Sequence, residues 1–161
     1  VDTNGNIIDC ILEEVDTERN VEVLPVYLKV VDSKTEGIAV PVAGKGLWST
    51  VFGYIALEPD TDTVLGIQFY KHGETPGLGG EVEKAWFTNN FVGKKIRSQD
   101  DRVIGIEVLK GKVDSSSPYS VHQVDGISGA TVTGKGVGNF LKEDLGRYES
   151  YFNKVRADGN I

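Results

Sequence analysis

Residues 50–58 read Thr-Val-Phe-Gly-Tyr-Ile-Ala-Leu-Glu, and residues 64–70 return as Val-Leu-Gly-Ile-Gln-Phe-Tyr. Both runs are rich in β-branched and aromatic side chains, and Pro59, Asp60, Thr61 and Asp62 supply turn chemistry between them. A connection this short joins only antiparallel strands, because parallel pairing needs a long crossover. The pair therefore commits the chain to an antiparallel sheet. Residues 23–31 form another β-rich run, in which Pro25 marks a sheet edge or a strand start. A short apolar stretch follows at 37–42.

A weak internal echo links 62–69 with 101–108: Asp-Thr-Val-Leu-Gly-Ile-Gln-Phe against Asp-Arg-Val-Ile-Gly-Ile-Glu-Val. Both read as the same alternating strand, either as paired halves of one antiparallel core or by chance similarity. Three helices are predicted. Ile7, Ile8, Ile11, Leu12 and Val15 have helical spacing within 7–19, and a short helix carrying Trp86 and Phe87 is read over 81–91. At the end of the chain, Val137, Phe140, Leu141, Leu145, Tyr148, Phe152 and Val155 fall on one face of a single amphipathic helix. No linker divides the chain, and 161 residues suit one domain, here 1–161. Local hairpins with helices around them give an α+β fold: a curved antiparallel sheet with flanking helices.

Charge and composition exclude several functions. The net charge of −7 argues against a nucleic-acid binder and against an anionic membrane surface as partner. Cys10 is the one cysteine, and with only His72 and His122 beside it a structural zinc site has no ligand set. Apolar runs are too short to cross a bilayer. The chain starts at Val1 and contains no methionine, which is read as a soluble piece processed or excised from a longer parent.

Two segments break the strand and helix pattern. Residues 72–80, His-Gly-Glu-Thr-Pro-Gly-Leu-Gly-Gly, place four glycines and a proline in nine residues. They are either a plain glycine-rich connection or a tight turn that brings backbone, Glu74 and Leu78 close to a ligand. Residues 125–136, Asp-Gly-Ile-Ser-Gly-Ala-Thr-Val-Thr-Gly-Lys-Gly, precede the final helix. Small residues and hydroxyls there suit a phosphate on the helix N-terminus, or simple N-capping by Thr131 or Thr133. The stretch 129–135 imitates a P-loop, but Gly136 stands where Ser or Thr must hold magnesium. The residues before it, 120–126, are polar and are not expected to form a buried parallel strand. No dinucleotide-binding glycine pattern follows a first strand. Neither histidine has a G-x-S-x-G partner, and His72 beside Glu74 is a weak acid–base pair.

The segment from Asp125 to Thr131 resembles the flavinylation motif D-x-x-[ST]-G-A-T of FMN-binding domains at every specified position. The turn at 72–79 is similar to the second hallmark of the same domains, and the order and separation agree. The resemblance covers about residues 36–158. Gly44-Lys-Gly-Leu-Trp-Ser49 and the Gly79-Gly-Glu81 ending are similar to the C-subunit family of Na+-translocating NADH:quinone oxidoreductases, with the G-subunit of the Rnf complex as the alternative. The resemblance implies an electron-transfer flavoprotein subunit, inactive alone, whose FMN is held as a phosphoester on Thr131. It places Ser128, Gly129, Ala130 and Thr133 around the phosphate, and Glu74, Thr75, Leu78 and Gly79 along the isoalloxazine ring. Leu47 and Trp48 come near the ring, and Lys110 balances charge on the reduced flavin. It further implies a flavin transferase that uses FAD, other subunits of a membrane complex as partners, and an extracytoplasmic domain whose membrane anchor lies in the parent protein. A flavin-free scaffold of the same fold and a small flavin-dependent reductase remain as other readings.

Overall fold

The computed structural model describes residues 4–5 and 23–158. Four strands form one sheet: β1 (Tyr27–Val31), β2 (Lys34–Lys45), β3 (Thr50–Leu57) and β4 (Val64–Lys71). They lie in the order β1-β2-β3-β4, and each neighbouring pair is antiparallel. The predicted hairpin is β3–β4, with Ile55 opposite Ile67 and a register shift near each end. Alternation works as expected in β3, where Val51, Gly53, Ile55 and Leu57 are buried and Tyr54 is exposed. On the outer face Tyr54 and Tyr70 stack, with ring centroids 5.4 Å apart.

Three helices complete the described chain: α1 (Ala85–Thr88), α2 (Thr131–Arg147) and α3 (Glu149–Asp158). Helix α2 lies on β2, and two glycines let the backbones meet. A Cβ on Gly136 would fall 2.1 Å from Lys45 O, and one on Gly44 would fall 2.3 Å from Phe140 Cβ. Asp144 Oδ2 then accepts from Ala43 N at 2.7 Å, pinning the helix to the strand. The inner face of the sheet, with Ile38, Val40, Val51 and Ile55, shares one core with Val137, Leu141, Leu145 and Phe152 of the two helices. The result is the α+β arrangement that the sequence predicts.

Several predicted elements differ in detail. The stretch 37–42 extends into the twelve-residue β2, and β1 starts two residues after Pro25. The single helix over 81–91 is instead α1 between two 3-10 turns, Gly79–Glu83 and Asn89–Phe91, because Lys84 is extended (φ −79°, ψ 141°). The final helix is two helices that meet at Tyr148. Its ring stacks on Phe152, and its hydroxyl donates to Pro25 O at 3.0 Å. The helix expected over 7–19 lies outside the described residues.

The echo at 101–108 does not pair with 62–69. Gly105 has φ +74°, and the N–H groups of Ile104 and Gly105 both donate to Ile96 O. Only β5 (Glu107–Val108) is a strand, and it pairs in parallel with β6 (Gln123–Val124). The polar segment 120–126 thus does contribute a short parallel strand, with Val124 buried. Like patterns diverge here because strand preference follows the neighbours available rather than the local sequence.

Beside α3, Arg97 is buried. Its guanidinium donates to Asp101 O at 2.6 Å, to Asn153 Oδ1 at 2.9 Å and to Thr61 O at 3.4 Å, so it ties three segments together. Asp101 is exposed, so the ion pair itself adds little. Removing the guanidinium leaves the buried Thr61 carbonyl unpaired and unties the three segments. Arg97→Leu is expected to cost about 1–3 kcal/mol in urea denaturation. An unchanged midpoint and slope would contradict this account of the buried network.

Candidate functional site

Three connections converge at one end of the sheet. The loop 46–49 joins β2 to β3, the turn 72–80 follows β4, and 125–130 leads into α2. Glu74 lies between them, 5% exposed. Its Oε1 accepts from Trp48 N at 2.9 Å, Ser49 N at 2.9 Å and Ser49 Oγ at 3.2 Å. Its Oε2 accepts from Leu47 N at 3.1 Å and from Thr133 Oγ1 at 2.6 Å. Glycine is required around it: a Cβ on Gly46 would fall 2.7 Å from Glu74 Oε1, and one on Gly79 would fall 2.7 Å from Glu74 Oε2. The turn is closed by Thr75 O, which accepts from the N–H groups of Leu78 and Gly80.

Burial by itself would push the Glu74 carboxyl up. The Thr133 hydroxyl and the N–H groups of Trp48, Ser49 and Leu47 outweigh it and bring the carboxyl from 4.5 down to about 2. A carboxyl lowered on folding stabilises the fold above its unfolded value of 4.5, and that contribution is lost as pH falls towards about 2. The lost stability is roughly 3 kcal/mol for a shift of this size. Glu74→Gln should flatten the pH dependence of unfolding free energy across that window. Equal slopes in wild type and variant would show that the carboxylate is not held in this way.

His72 does not serve Glu74 as an acid–base partner. Its Nδ1 accepts from the backbone N–H of Glu74 at 3.2 Å, which leaves the proton on Nε2, facing Glu83 Oε2 at 3.3 Å. The ring fixes the turn.

At the start of α2 neither threonine caps the helix. Ala130 occupies the N-cap position without a side-chain bond, and Thr133 is bonded to Glu74. The expectation of capping by Thr131 or Thr133 is therefore corrected. The first turn is left without a side-chain acceptor, which suits an anion. Thr131, the first helical residue, is half-buried, while Ser128 and Gly129 are exposed and Ala130 is buried. Gly129 has φ +75°, and a Cβ there would meet Leu78 Cδ2 at 2.9 Å, so the two glycine-rich segments touch. Leu47, Trp48, Leu78 and Val132 leave apolar surface exposed around this end, Trp48 most of all at 68%.

The fold thus brings Glu74, Leu47, Trp48 and Thr133 into one hydrogen-bonded cluster, packs Gly79 against it and sets Leu78 against Gly129. Lys110 lies outside that cluster. Its side chain is exposed beside the groove between β5 and α2, although its backbone packs on Gly126. Ser49 and Gly46 belong to the cluster and are not among the predicted contacts. Ser49 Oγ also accepts from Gly73 N at 2.7 Å, so it joins loop to turn. Only their place in the Gly44–Ser49 segment hinted at them. Asp125, first residue of the segment that resembles the flavinylation motif, accepts from Val113 N at 2.8 Å and Lys112 Nζ at 2.6 Å, and so anchors the segment.

A family model for the FMN-binding domain matches residues 46–145, which begins at the Glu74-bound loop and includes most of α2. The chain belongs to the FMN-binding domain family. It is 46% identical over 134 residues to the C-subunit of the Na(+)-translocating NADH-quinone reductase of Pseudomonas aeruginosa, covering 81% of this chain and 51% of that protein. With the corresponding C-subunit of Vibrio alginolyticus it shares 39% identity over 148 residues, covering 91% and 56%. The chain spans about half the length of the curated relatives it matches. Among solved structures it resembles NqrC of Shewanella oneidensis (TM-score 0.75, 36% identity, covering 83% of this chain and 61% of that one). It also resembles the reductase C-subunit from Parabacteroides distasonis (TM-score 0.78, 34% identity, covering 94% and 75%).

The geometry fits the cofactor of this family. The uncapped helix start offers N–H groups, and the exposed apolar side chains of Leu47, Trp48 and Leu78 border it.

Proposed function

We propose that this FMN-binding domain holds FMN as a phosphoester on Thr131 and passes electrons between neighbouring cofactors, as part of the C-subunit of a Na+-translocating NADH:quinone oxidoreductase. The similarity to that C-subunit supports this reading over the Rnf alternative. The observation that carries it is the different state of the two threonines. Thr131 is half-buried at an uncapped helix start, while Thr133 is buried against Glu74.

Attachment requires the Thr131 oxygen to bond the flavin-side phosphorus of FAD. The diphosphate bridge breaks, AMP leaves, and the hydroxyl proton passes to a base on a flavin transferase. In the attached state Ser128, Gly129 and Ala130 surround the phosphate, and the helix start offsets its charge. Leu78, Leu47 and Trp48 give the ring apolar contact, with Glu74, Thr75 and Gly79 forming the wall behind them. Lys110, beside the attachment segment, supplies positive charge at the rim. When bound, FMN supplies one- and two-electron chemistry, and the protein supplies position and electronics. A covalent link suits a chain of net charge −7, which is a poor reservoir for a free dianion.

No helix among the described residues is long and apolar enough to cross a membrane. We place the domain outside the cytoplasm, on the periplasmic side, held to the inner membrane by the parent protein and in contact with other subunits of the complex. The test is co-expression with a flavin transferase, followed by intact mass and visible spectrum after denaturation. A gain of one FMN less water, with colour retained in denaturant, is expected. An unmodified, colourless chain would refute the proposal.

A further inference from the structure

Two hydroxyls stand two residues apart in the first turn of α2, and as isolated side chains they are equal nucleophiles. Thr133 is 1% exposed, and its Oγ1 donates to Glu74 Oε2 at 2.6 Å. Thr131 is half-buried and takes no part in that cluster. The carboxylate is immobile, since loop 46–49 donates three backbone N–H bonds to it. Gly79 keeps the bridge short, because a Cβ there would fall 2.6 Å from Thr133 Oγ1.

We infer that Glu74 is a positioning residue for cofactor attachment: through Thr133 it sets the first turn of α2 so that Thr131, and not Thr133, is the oxygen that is esterified. This rests on the reading above that the domain carries FMN through a threonine. Thr133 is buried at 1% exposure, so an incoming phosphate does not reach its oxygen, and the negative charge of Glu74 beside it repels one. Glu74 makes no bond to the reacting oxygen. It acts by tying the helix start to β2, β3 and the 72–80 turn, so the first turn cannot fray as uncapped ends do. In the transfer, the Thr131 O–P bond forms as the diphosphate bond of FAD breaks, AMP leaves with the bridging oxygen, and the transferase takes the proton.

The test uses the whole chain, purified flavin transferase and FAD, with initial esterification rates read by intact mass and the ester placed by peptide mapping. Thr133→Val removes one arm of the bridge, leaves Glu74 its other partners and nearly preserves volume. It is expected to fold as wild type but to be esterified about tenfold more slowly, through kcat and not through KM for FAD. Thr133→Ser restores the rate. Without FAD, amide hydrogen exchange at 131–134 is expected to speed up in Thr133→Val and not in Thr133→Ser. In Thr131→Ala no ester appears on Thr133. A folded Thr133→Val modified at the wild-type rate, a failure of Thr133→Ser to rescue, or an ester on Thr133 overturns the inference. A wild type that stays unmodified overturns the flavin reading itself, and is recognised because no variant is involved.

Discussion

Thr131→Ala should abolish covalent flavin while leaving the fold intact. Co-expressed with a flavin transferase, wild type gains the mass of FMN less water and the variant gains nothing. The loss is expected to be complete because carbon cannot replace the bonding oxygen and the other hydroxyl in the turn, on Thr133, is buried. Stability should barely move. Thr131 caps nothing, and alanine is the better helix former, so a change within about 0.5 kcal/mol is expected from thermal or urea unfolding. The combination separates a role in chemistry from a role in packing. Thr131→Ser, which keeps an oxygen on the same carbon, should retain attachment. A full mass gain in Thr131→Ala would move the ester elsewhere and remove the basis of the proposed function.

The second large effect concerns Gly136→Ala. Two terms of opposite sign compete. Alanine in a helix interior is worth about 1 kcal/mol over glycine. Against this, the new Cβ would fall 2.1 Å from Lys45 O and 3.3 Å from Gly46 Cα. These are backbone atoms of β2 and of the loop that binds Glu74, so no rotamer change relieves the clash and the helix must move off the strand. Overpacking of this kind costs roughly 1–3 kcal/mol and sometimes more. We expect Gly136→Ala to destabilise by about 2 kcal/mol or more, and to slow esterification by displacing loop 46–49. Gly146→Ala is the control within the same helix. A Cβ there has open space, so the propensity term acts alone and stabilises by up to about 1 kcal/mol. If both variants stabilised the protein, close approach of α2 to β2 would not be what requires glycine at 136.

Much of this was legible in the residues because the controlling interactions are local. The β3–β4 hairpin follows from alternation on both sides of Pro59 to Asp62, and the β3 side chains point as their period requires. The helix start after 125–130 was legible for the same reason: Asp125 to Thr131 is contiguous, and its glycine and helix start follow one another in the chain. The apolar faces of α2 and α3 were correctly read from spacing, although the break at Tyr148 was not, since that turn coincides with a contact to Pro25 far away in sequence. Residues 101–108 show the limit plainly. They copy the pattern of β4 and yet turn at Gly105 to pair with a segment that looked too polar to be a strand.

The amino-acid sequence by itself determined the antiparallel sheet, the helical face that covers it and the family resemblance of the segment ahead of α2, because period, turn chemistry and motif spacing belong to neighbouring residues. Only the tertiary structure decided what Glu74 does. Its partners Ser49 and Thr133 lie 25 and 59 residues away, and a buried carboxylate is satisfied by whichever donors the fold delivers to it. The need for glycine at 46, 79 and 136 was likewise settled in space, by carboxylate oxygens and a strand carbonyl that leave no room for a β-carbon.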